Sequence, residues 1–335
     1  MPVLPRVLIV SPATAAANNG NWHTAARWAQ MLQPGFSVSI AQDWDGRTPF
    51  DAMLALHARR SAAAIERWAW AQGADFDAPG LAVVLTGTDL YRDIETDAQA
   101  QASLRLARAL VVLQECGPDA LPPSMRSKAR VIFQSSAPQS PVPKPPCPLR
   151  VVMVGHLREE KAPQTLWQAA QLLREHEGVH MEHIGDALDP ALAAQAQSCM
   201  AQCAHYRWRG GLPHAATLRA IAQAHVLVHT SRMEGGAHAI LEAVCSGTPV
   251  LASRIPGNVG MLGNDYDGYF ALGDAAGLVQ LLLRCRDELA QPQGLYAQIL
   301  RQCAHRAPLF TPATEAAAVQ TLVHTLFHPG SPEFQ

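Results

Sequence analysis

The segment Ser231–Val250 carries two carboxylates and two adjacent glycines in an order suited to a charged ligand. The apolar run Val226–Val228 predicts a strand, Glu234 and Gly235–Gly236 follow it, and a predicted helix then carries Glu242. A glycine-rich turn between a strand and a helix exposes unpaired N–H groups, and the helix dipole adds positive potential, so the turn favours a phosphate. The two glutamates would lie about 12 Å apart along a helix. That separation predicts a site for a hexose and a ribose at opposite ends of one diphosphate.

A second loop adds positive charge to this interpretation. The predicted strand that ends at Val154 runs into Gly155, Arg158 and Lys161, and Pro163 can begin the next helix. A glycine-containing loop with two cations suits a diphosphate. A solvated charged loop is the simpler alternative, just as Glu234 could cap a helix and Glu242 could be exposed. The combination of both loops favours a ligand site.

Three loops in the first half of the chain follow predicted strands and are rich in small hydrogen-bond donors or in cations. Such loops suit a compact anion, although turn formation and helix capping would explain the same residue types. The candidate anion-binding residues are Asn18, Asn19, Gly20 and Asn21 in the first loop, Arg59 and Arg60 (beside His57) in the second, and Thr86, Gly87, Thr88 and Asp89 in the third.

The spacing of apolar residues predicts strands that alternate with helices along the chain. The predicted strands are Val7–Val10, Ser37–Ile40, Ala52–Leu56, Ala82–Leu85, Leu110–Leu113, Val131–Phe133, Arg150–Val154, Val179–Ile184, Tyr206–Trp208, Val226–Val228 and Val250–Leu251. The predicted helices are Trp22–Leu32, Ser61–Trp70, Thr96–Ala109, Pro163–Glu175, Pro190–Cys203 and Ala215–Gln223, with further helical stretches around Leu278–Leu289 and Thr314–Phe327. This alternation is typical of α/β folds with doubly wound parallel sheets, which bind ligands at the carboxyl ends of their strands.

The same pattern divides the chain into two domains. A proline-rich stretch at 137–149 reads as a stiff linker between a domain at 1–136 and a second domain at 150–310. We expect a helix at 311–328 to pack back on the first domain, and 329–335 to be a tail.

Composition narrows the classes of function. A formal charge of −2 gives no reason to expect nucleic acid or an anionic membrane surface, and the apolar runs are too short to span a membrane. The chain opens directly on a strand with no leader pattern, and its seven scattered cysteines fit a reducing compartment, so we expect a cytoplasmic protein. Cys199 and Cys203, near His205, lack a second cysteine pair to complete a zinc site.

The segments Val154–Lys161 and Ser231–Val250 resemble the donor-binding half of retaining GT-B glycosyltransferases of family 4, in which seven residues separate two glutamates, as they separate Glu234 from Glu242. The resemblance implies a GT-B fold, with two Rossmann-like domains facing across a cleft. It implies that Glu242 binds the ribose hydroxyls and Glu234 a hydroxyl of the transferred sugar. The donor-binding residues that it implies are Gly155, His156, Arg158, Lys161, Glu234, Gly235, Gly236, Ala237 and Glu242, of which Arg158, Lys161 and Glu234 are catalytic. Family members commonly have arginine where this chain has His156, so either His156 or Arg158 could serve the phosphates.

A narrower resemblance covers both halves. The segments Asn18–Arg27, Leu85–Ile94 and Gly155–Lys161 are similar to those of the selenosugar synthases of selenoneine biosynthesis. That resemblance implies transfer of N-acetylglucosamine or a related sugar from its UDP form to selenophosphate, with a carbon–selenium bond formed and UDP released. Same-face attack guided by the leaving diphosphate is the mechanism we expect, since no enzymic nucleophile stands out.

Several alternatives remain open. The same fold could transfer the sugar to a hydroxyl of a metabolite or lipid, or the chain could bind sugar nucleotides without catalysis. A nicotinamide dehydrogenase is disfavoured because no Gly-x-Gly-x-x-Gly follows the first strand. The triplets Asp43–Asp45, Asp75–Asp77 and Asp265–Asp267 resemble metal-binding triplets of another glycosyltransferase fold, but cations and backbone donors suffice here, so we expect no metal and no cofactor besides the donor substrate. The sequence leaves the oligomeric state undetermined.

Overall fold

The computed structural model describes residues 4–13, 20–140, 142–173 and 178–327. The chain forms two compact units. The first comprises Met1–Gln134 and Pro312–Gln335, and the second comprises Ser135–Thr311.

The first unit contains a parallel sheet in which six described strands have the order β2-β1-β3-β4-β5-β6. These strands are β1 (Arg6–Val10), β2 (Ser37–Ala41), β3 (Ala52–Leu56), β4 (Ala78–Val84), β5 (Ala107–Val112) and β6 (Ala129–Val131). The sequence order reverses direction beside β1, so the loops that follow β1 and β3 leave the sheet as neighbours at a topological switch point.

Helices cover both faces of this sheet. Its α-helices are α1 (Gly20–Leu32), α2 (Ala62–Ala71), α3 (Ile94–Thr96) and α4 (Ala98–Leu106). Shorter π and 3₁₀ turns lie at Asp89–Asp93, Pro118–Ala120 and Pro123–Lys128. Alternate residues of β1 enter two separate buried clusters, Leu8 and Val10 in one and Val7 and Ile9 in the other, because successive side chains of a strand point to opposite faces.

The second unit repeats this plan with six described strands in the order β12-β11-β10-β7-β8-β9. They are β7 (Leu149–Val154), β8 (Val179–Ile184), β9 (Tyr206–Trp208), β10 (Val226–His229), β11 (Val250–Ser253) and β12 (Tyr269–Phe270). Its α-helices are α5 (Pro163–Leu172), α6 (Pro190–Gln202), α7 (His214–Gln223), α8 (His238–Cys245), α9 (Pro256–Leu262), α10 (Ala275–Asp287) and α11 (Leu295–Arg306), with 3₁₀ turns at Glu159–Lys161 and Ala307–Phe310. Strands β7 and β10 pair side by side, which places the switch point of this sheet between them.

The last helix, α12 (Pro312–Phe327), lies with the first unit. Its residues Val319, Leu322, Val323 and Leu326 share a buried cluster with Trp28 of α1. An ion pair reinforces this packing, since Arg27 lies 2.8 Å from Glu315, and the indole of Trp28 donates to the same carboxylate at 2.7 Å.

The predicted α/β class and the doubly wound parallel sheets are confirmed. Each predicted strand overlaps an observed strand, and their ends differ by at most four residues. Two details of the prediction were wrong. The predicted helix Thr96–Ala109 ends earlier, because Ala107 already pairs with Ala78 as part of β5. Helices α9 and α11 were not predicted at all. None of the helices in the described part of the chain is both long and apolar enough to cross a membrane.

Candidate functional site

The topology of the second sheet brings the two sequence motifs together. The loop after β7 contains Gly155 and Lys161, and the loop after β10 contains Glu234. Because β7 and β10 are adjacent parallel strands, both loops emerge at the same edge of the sheet. The hydroxyl of Thr230 donates to the backbone oxygen of Lys161 at 2.7 Å, so the loops are joined directly.

The Glu234 carboxylate is buried and is held by two donors. The Lys161 ammonium lies 2.5 Å from its Oε1, and Nε2 of His229 lies 3.1 Å from the same atom. Burial favours the neutral acid, but the charge of Lys161 and the hydrogen bond from His229 outweigh it and keep the pKa of Glu234 well below its ordinary value. Glu234 is therefore a carboxylate at neutral pH.

Helix α9 packs closely against the backbone of Glu234 through Gly257. A Cβ added to Gly257 would lie 2.1 Å from the backbone oxygen of Glu234 and 2.9 Å from its Cβ. Only glycine permits this approach, because real Cβ contacts are longer than 3.0 Å. The backbone N–H of Arg232 also donates to the backbone oxygen of Glu160 at 2.8 Å, which ties this loop to the 3₁₀ turn that carries Lys161.

Glu242, a buried residue of α8, is also held by two side chains. Nε2 of His214 lies 2.7 Å from Oε1 of Glu242, and Nδ1 of His238 lies 3.1 Å from that oxygen. Burial raises the pKa of Glu242, but the hydrogen bonds from His214 and His238 lower it to about 2. The same contact with Glu242 raises the pKa of His214, against a smaller opposing effect of burial.

The two glutamates share one geometry. In each, Oε1 is held from two sides, and no described residue offers a hydrogen bond to Oε2. Neither carboxylate is left uncompensated, and each retains an acceptor oxygen for a ligand hydroxyl. Sequence reasoning missed His214, His229 and His238. The position of His238 four residues before Glu242 on one helix was a readable signal, because such residues share a helix face.

The two candidate phosphate-binding residues in the loop after β7 differ in charge. Nδ1 of His156 accepts a hydrogen bond from the backbone N–H of Asp186 at 3.0 Å. Partial burial and the nearby charge of Arg158 lower the pKa of His156, so its imidazole is neutral. Arg158 is exposed, and its guanidinium has no ion-pair partner within the described ranges. Of the two residues, Arg158 is the permanent cation.

Helix α8 starts later than the sequence pattern suggested. It begins at His238 with Ala237 as its N-cap residue, so Gly235 and Gly236 belong to the preceding loop. The expected separation of about 12 Å assumed that one helix carries both glutamates, and this assumption is wrong because Glu234 precedes the helix.

The candidate anion-binding residues of the first unit occupy three strand-end loops. Asn18 and Asn19 lie outside the described residues, whereas Gly20 and Asn21 are the first residues of α1. Half-buried Thr86, Gly87 and Thr88 follow β4, and Asp89 begins the π turn after them. Arg59 pairs with Asp93 at 3.2 Å, and Arg60 is exposed.

A family model matches part of the second unit. Residues 139–291 match the model of a family described as glycosyl transferases group 1. The matched segment contains the loops of Lys161 and Glu234 as well as α8. This part of the chain is therefore similar to that family.

Solved structures extend the likeness to both units. HepE from Anabaena in complex with UDP superposes with a TM-score of 0.71 at 15% identity, over 97% of this chain and 99% of that one. A sucrose-phosphate synthase from Thermosynechococcus elongatus superposes with a TM-score of 0.74 at 16% identity, over 98% of this chain and 100% of the other. A variant of S. aureus TarM bound to fondaparinux, α-GlcNAc-glycerol and UDP gives 0.62 at 12% identity. The match covers 82% of this chain but only 56% of TarM. At these identities the likeness establishes the fold, which is GT-B.

Proposed function

We propose that this chain is a metal-independent retaining glycosyltransferase that takes its sugar from a UDP-sugar. The observation that carries the proposal is the pair of glutamates in the second unit, Glu234 and Glu242. In each carboxylate, Oε1 is hydrogen-bonded to the protein and Oε2 is available to a ligand. Glu242 binds the ribose hydroxyls, and Glu234 binds a hydroxyl of the transferred sugar. The backbone of Gly235, Gly236 and Ala237 contacts the distal phosphate.

The charges of the β7 loop supply the catalytic step. When the bond between the anomeric carbon and the diphosphate breaks, its electron pair passes to a phosphate oxygen and negative charge builds there. Arg158 and Lys161 stabilise that charge more in the transition state than in the ground state, which accelerates transfer. Two fixed positive charges and backbone donors leave no requirement for a metal ion at the diphosphate.

The proposed acceptor is selenophosphate. Its selenium attacks the anomeric carbon on the face that the diphosphate leaves, forming the carbon–selenium bond and releasing UDP. Hydrolysis of the selenium–phosphorus bond then gives inorganic phosphate and a selenosugar. An anionic, polarisable nucleophile needs little help from a general base, and the small donors of Thr86–Thr88 with Arg60 suit its phosphoryl group.

A second candidate is transfer to a hydroxyl. The solved neighbours favour it, because a TarM variant was crystallised with α-GlcNAc-glycerol, and the pneumococcal O-GlcNAc transferase GtfA, in complex with UDP and GlcNAc, is also structurally similar. The sugars in these complexes also support N-acetylglucosamine as the sugar to test first.

One experiment separates these possibilities. The purified chain is incubated with UDP-N-acetylglucosamine and selenophosphate, thiophosphate, phosphate or glycerol, with UDP release measured and products identified by mass spectrometry. The proposal predicts acceptor-dependent UDP release with selenophosphate and a selenium-containing sugar product. Release with glycerol alone would establish the second candidate, and UDP binding without acceptor-dependent release would reject catalysis.

A further inference from the structure

Three buried titratable side chains converge in the first unit, and the proposed transfer does not use them together. His57 follows β3, and Asp89 and Asp93 belong to the π turn after β4. Strands β3 and β4 are paired up to Leu56 and Val84, which brings these segments together at the carboxyl edge of the sheet. One nitrogen or oxygen atom from each of the three residues lies within 4.8 Å of the others.

Hydrogen bonding leaves this cluster incomplete. Nε2 of His57, Oδ1 of Asp89 and Oδ2 of Asp93 are all buried without a hydrogen-bond partner among the described residues. The side chains of His57, Asp89 and Asp93 are only 2%, 0% and 5% exposed. Because unpartnered polar atoms are costly inside a protein, three of them on neighbouring buried side chains of one cluster indicate a missing ligand.

A proton shared between His57 and Asp89 does not resolve the cluster. Nδ1 of His57 lies 2.9 Å from Oδ1 of Asp89, but without hydrogen-bond alignment. The backbone N–H of Arg60 points at that nitrogen from 3.4 Å, so Nδ1 acts as an acceptor. Two acceptors then face each other, and a cation bound at this cluster would relieve their repulsion.

The described arginines beside the cluster pair with Asp93 rather than with Asp89. Arg59 and Arg92 lie 3.2 and 3.3 Å from the two oxygens of Asp93, and both are substantially exposed. Asp89 has His57 as its sole ion-pair partner among the described residues, and its other oxygen accepts the backbone N–H of Ala58 at 2.7 Å. The buried charge of Asp89 is thus the least compensated in the cluster.

We propose that His57, Asp89 and Asp93 bind one divalent transition-metal ion. One imidazole and two carboxylates form a mixed donor set that suits Mn²⁺, Fe²⁺ or Zn²⁺ better than Mg²⁺, which prefers oxygen ligands and retains water. Bonds of about 2.0–2.2 Å place ligand atoms about 3–4 Å apart, so a small contraction of the cluster completes the site. Asp93 retains Arg59 on a remaining lone pair, because a carboxylate oxygen has two.

This ion is separate from the donor chemistry. It belongs to the first unit, whereas Arg158 and Lys161 belong to the second, and its binding does not depend on whether the protein transfers a sugar. The ion would hold together the ends of the loops after β3 and β4.

The test uses the full chain after chelation and dialysis. Isothermal titration with MnCl₂ and with ZnCl₂ should show one equivalent bound, and each ion should raise the thermal unfolding midpoint, with MgCl₂ giving a smaller effect. The variant Asp93→Asn should weaken binding by about 100-fold or more, because losing a group that merely supports a metal ligand already costs about 10- to 100-fold. His180→Ala, an exposed histidine of the second unit, should bind like the wild type.

Two outcomes would overturn the proposal. One is the absence of a stoichiometric heat and of any rise in the unfolding midpoint with either transition metal, a result that needs no variant. The other is binding that survives Asp93→Asn but is lost in His214→Ala, which would assign the ion to the histidines around Glu242.

Discussion

The ammonium of Lys161 lies 2.5 Å from Oε1 of Glu234, although the two residues are 73 positions apart in the sequence. The pairing of β7 with β10 produces this contact, because each residue belongs to the loop that follows one of these strands. The lysine thereby keeps a buried carboxylate ionised beside the first turn of α8.

Loss of the Lys161 charge should abolish most of the turnover. We expect Lys161→Ala to lower kcat by about 100-fold or more, because one fixed stabiliser of the leaving diphosphate is removed. Steady-state UDP release measures the change. Lys128→Ala is the matched control, since Lys128 donates to backbone oxygens of Leu104, Arg105 and Ala107 in the first unit. Near-normal turnover of Lys161→Ala would remove this residue from the mechanism.

Glu242 should bind the ribose hydroxyls of the nucleotide. We expect Glu242→Gln to weaken UDP binding by about 10- to 100-fold, the effect of losing a hydrogen bond to a charged group. The same substitution should leave the weaker binding of 2′,3′-dideoxy-UDP nearly unchanged, since that nucleotide lacks both hydroxyls. Titration calorimetry with both nucleotides measures the difference, and Glu182→Gln, on the exposed Glu182–Arg209 pair, serves as the control. An equal loss for both nucleotides would contradict the assignment.

The contact between His214 and Glu242 should make stability depend on pH. The raised pKa of His214 means that its contribution is complete below the unfolded value of about 6.5 and declines as pH rises through the folded value. The side chain is 69% exposed, so solvent screening limits this contribution to about 1 kcal/mol at most.

We therefore expect His214→Ala to lower the free energy of unfolding most near about pH 6, with a gap that narrows at higher pH. Urea denaturation across this range measures the gap. His180→Ala, a substitution at an exposed position on β8, is the matched control. A gap that widens as pH rises would show that the sign is wrong.

Close packing under Glu234 should make Gly257 sensitive to one methyl group. Gly257→Ala forces a carbon against the backbone of Glu234, so we expect a loss of about 1–3 kcal/mol in stability together with a fall in kcat. Gly35→Ala has open space around its Cβ and should change neither property. Chemical denaturation and turnover assays measure both effects, and wild-type values for Gly257→Ala would show that the loop position is not constrained.

Local patterns in the sequence predicted the alternating elements and the loops of Lys161 and Glu234, because burial period and turn residues are local properties. These local patterns failed where contacts between residues far apart in the sequence determine the structure. The pairing of Ala107 with Ala78 converts the end of an alanine-rich helical pattern into a strand. The His214–Glu242 contact spans 28 positions and depends on how α7 lies beside α8. Helix α9 contains two glycines that weaken its helical signal, whereas Leu295, Ile299 and Cys303 of α11 recur every four residues and were readable.

The central claim is that one segment of the second unit binds the nucleotide sugar through Glu234 and Glu242. A crystal of the full chain soaked with UDP tests it most directly. The account predicts the ribose hydroxyls against the carboxylate of Glu242, and the diphosphate beside the N-terminus of α8, near Arg158 and Lys161. Nucleotide bound at another place, with neither Glu242 nor Lys161 in contact with it, would contradict the account.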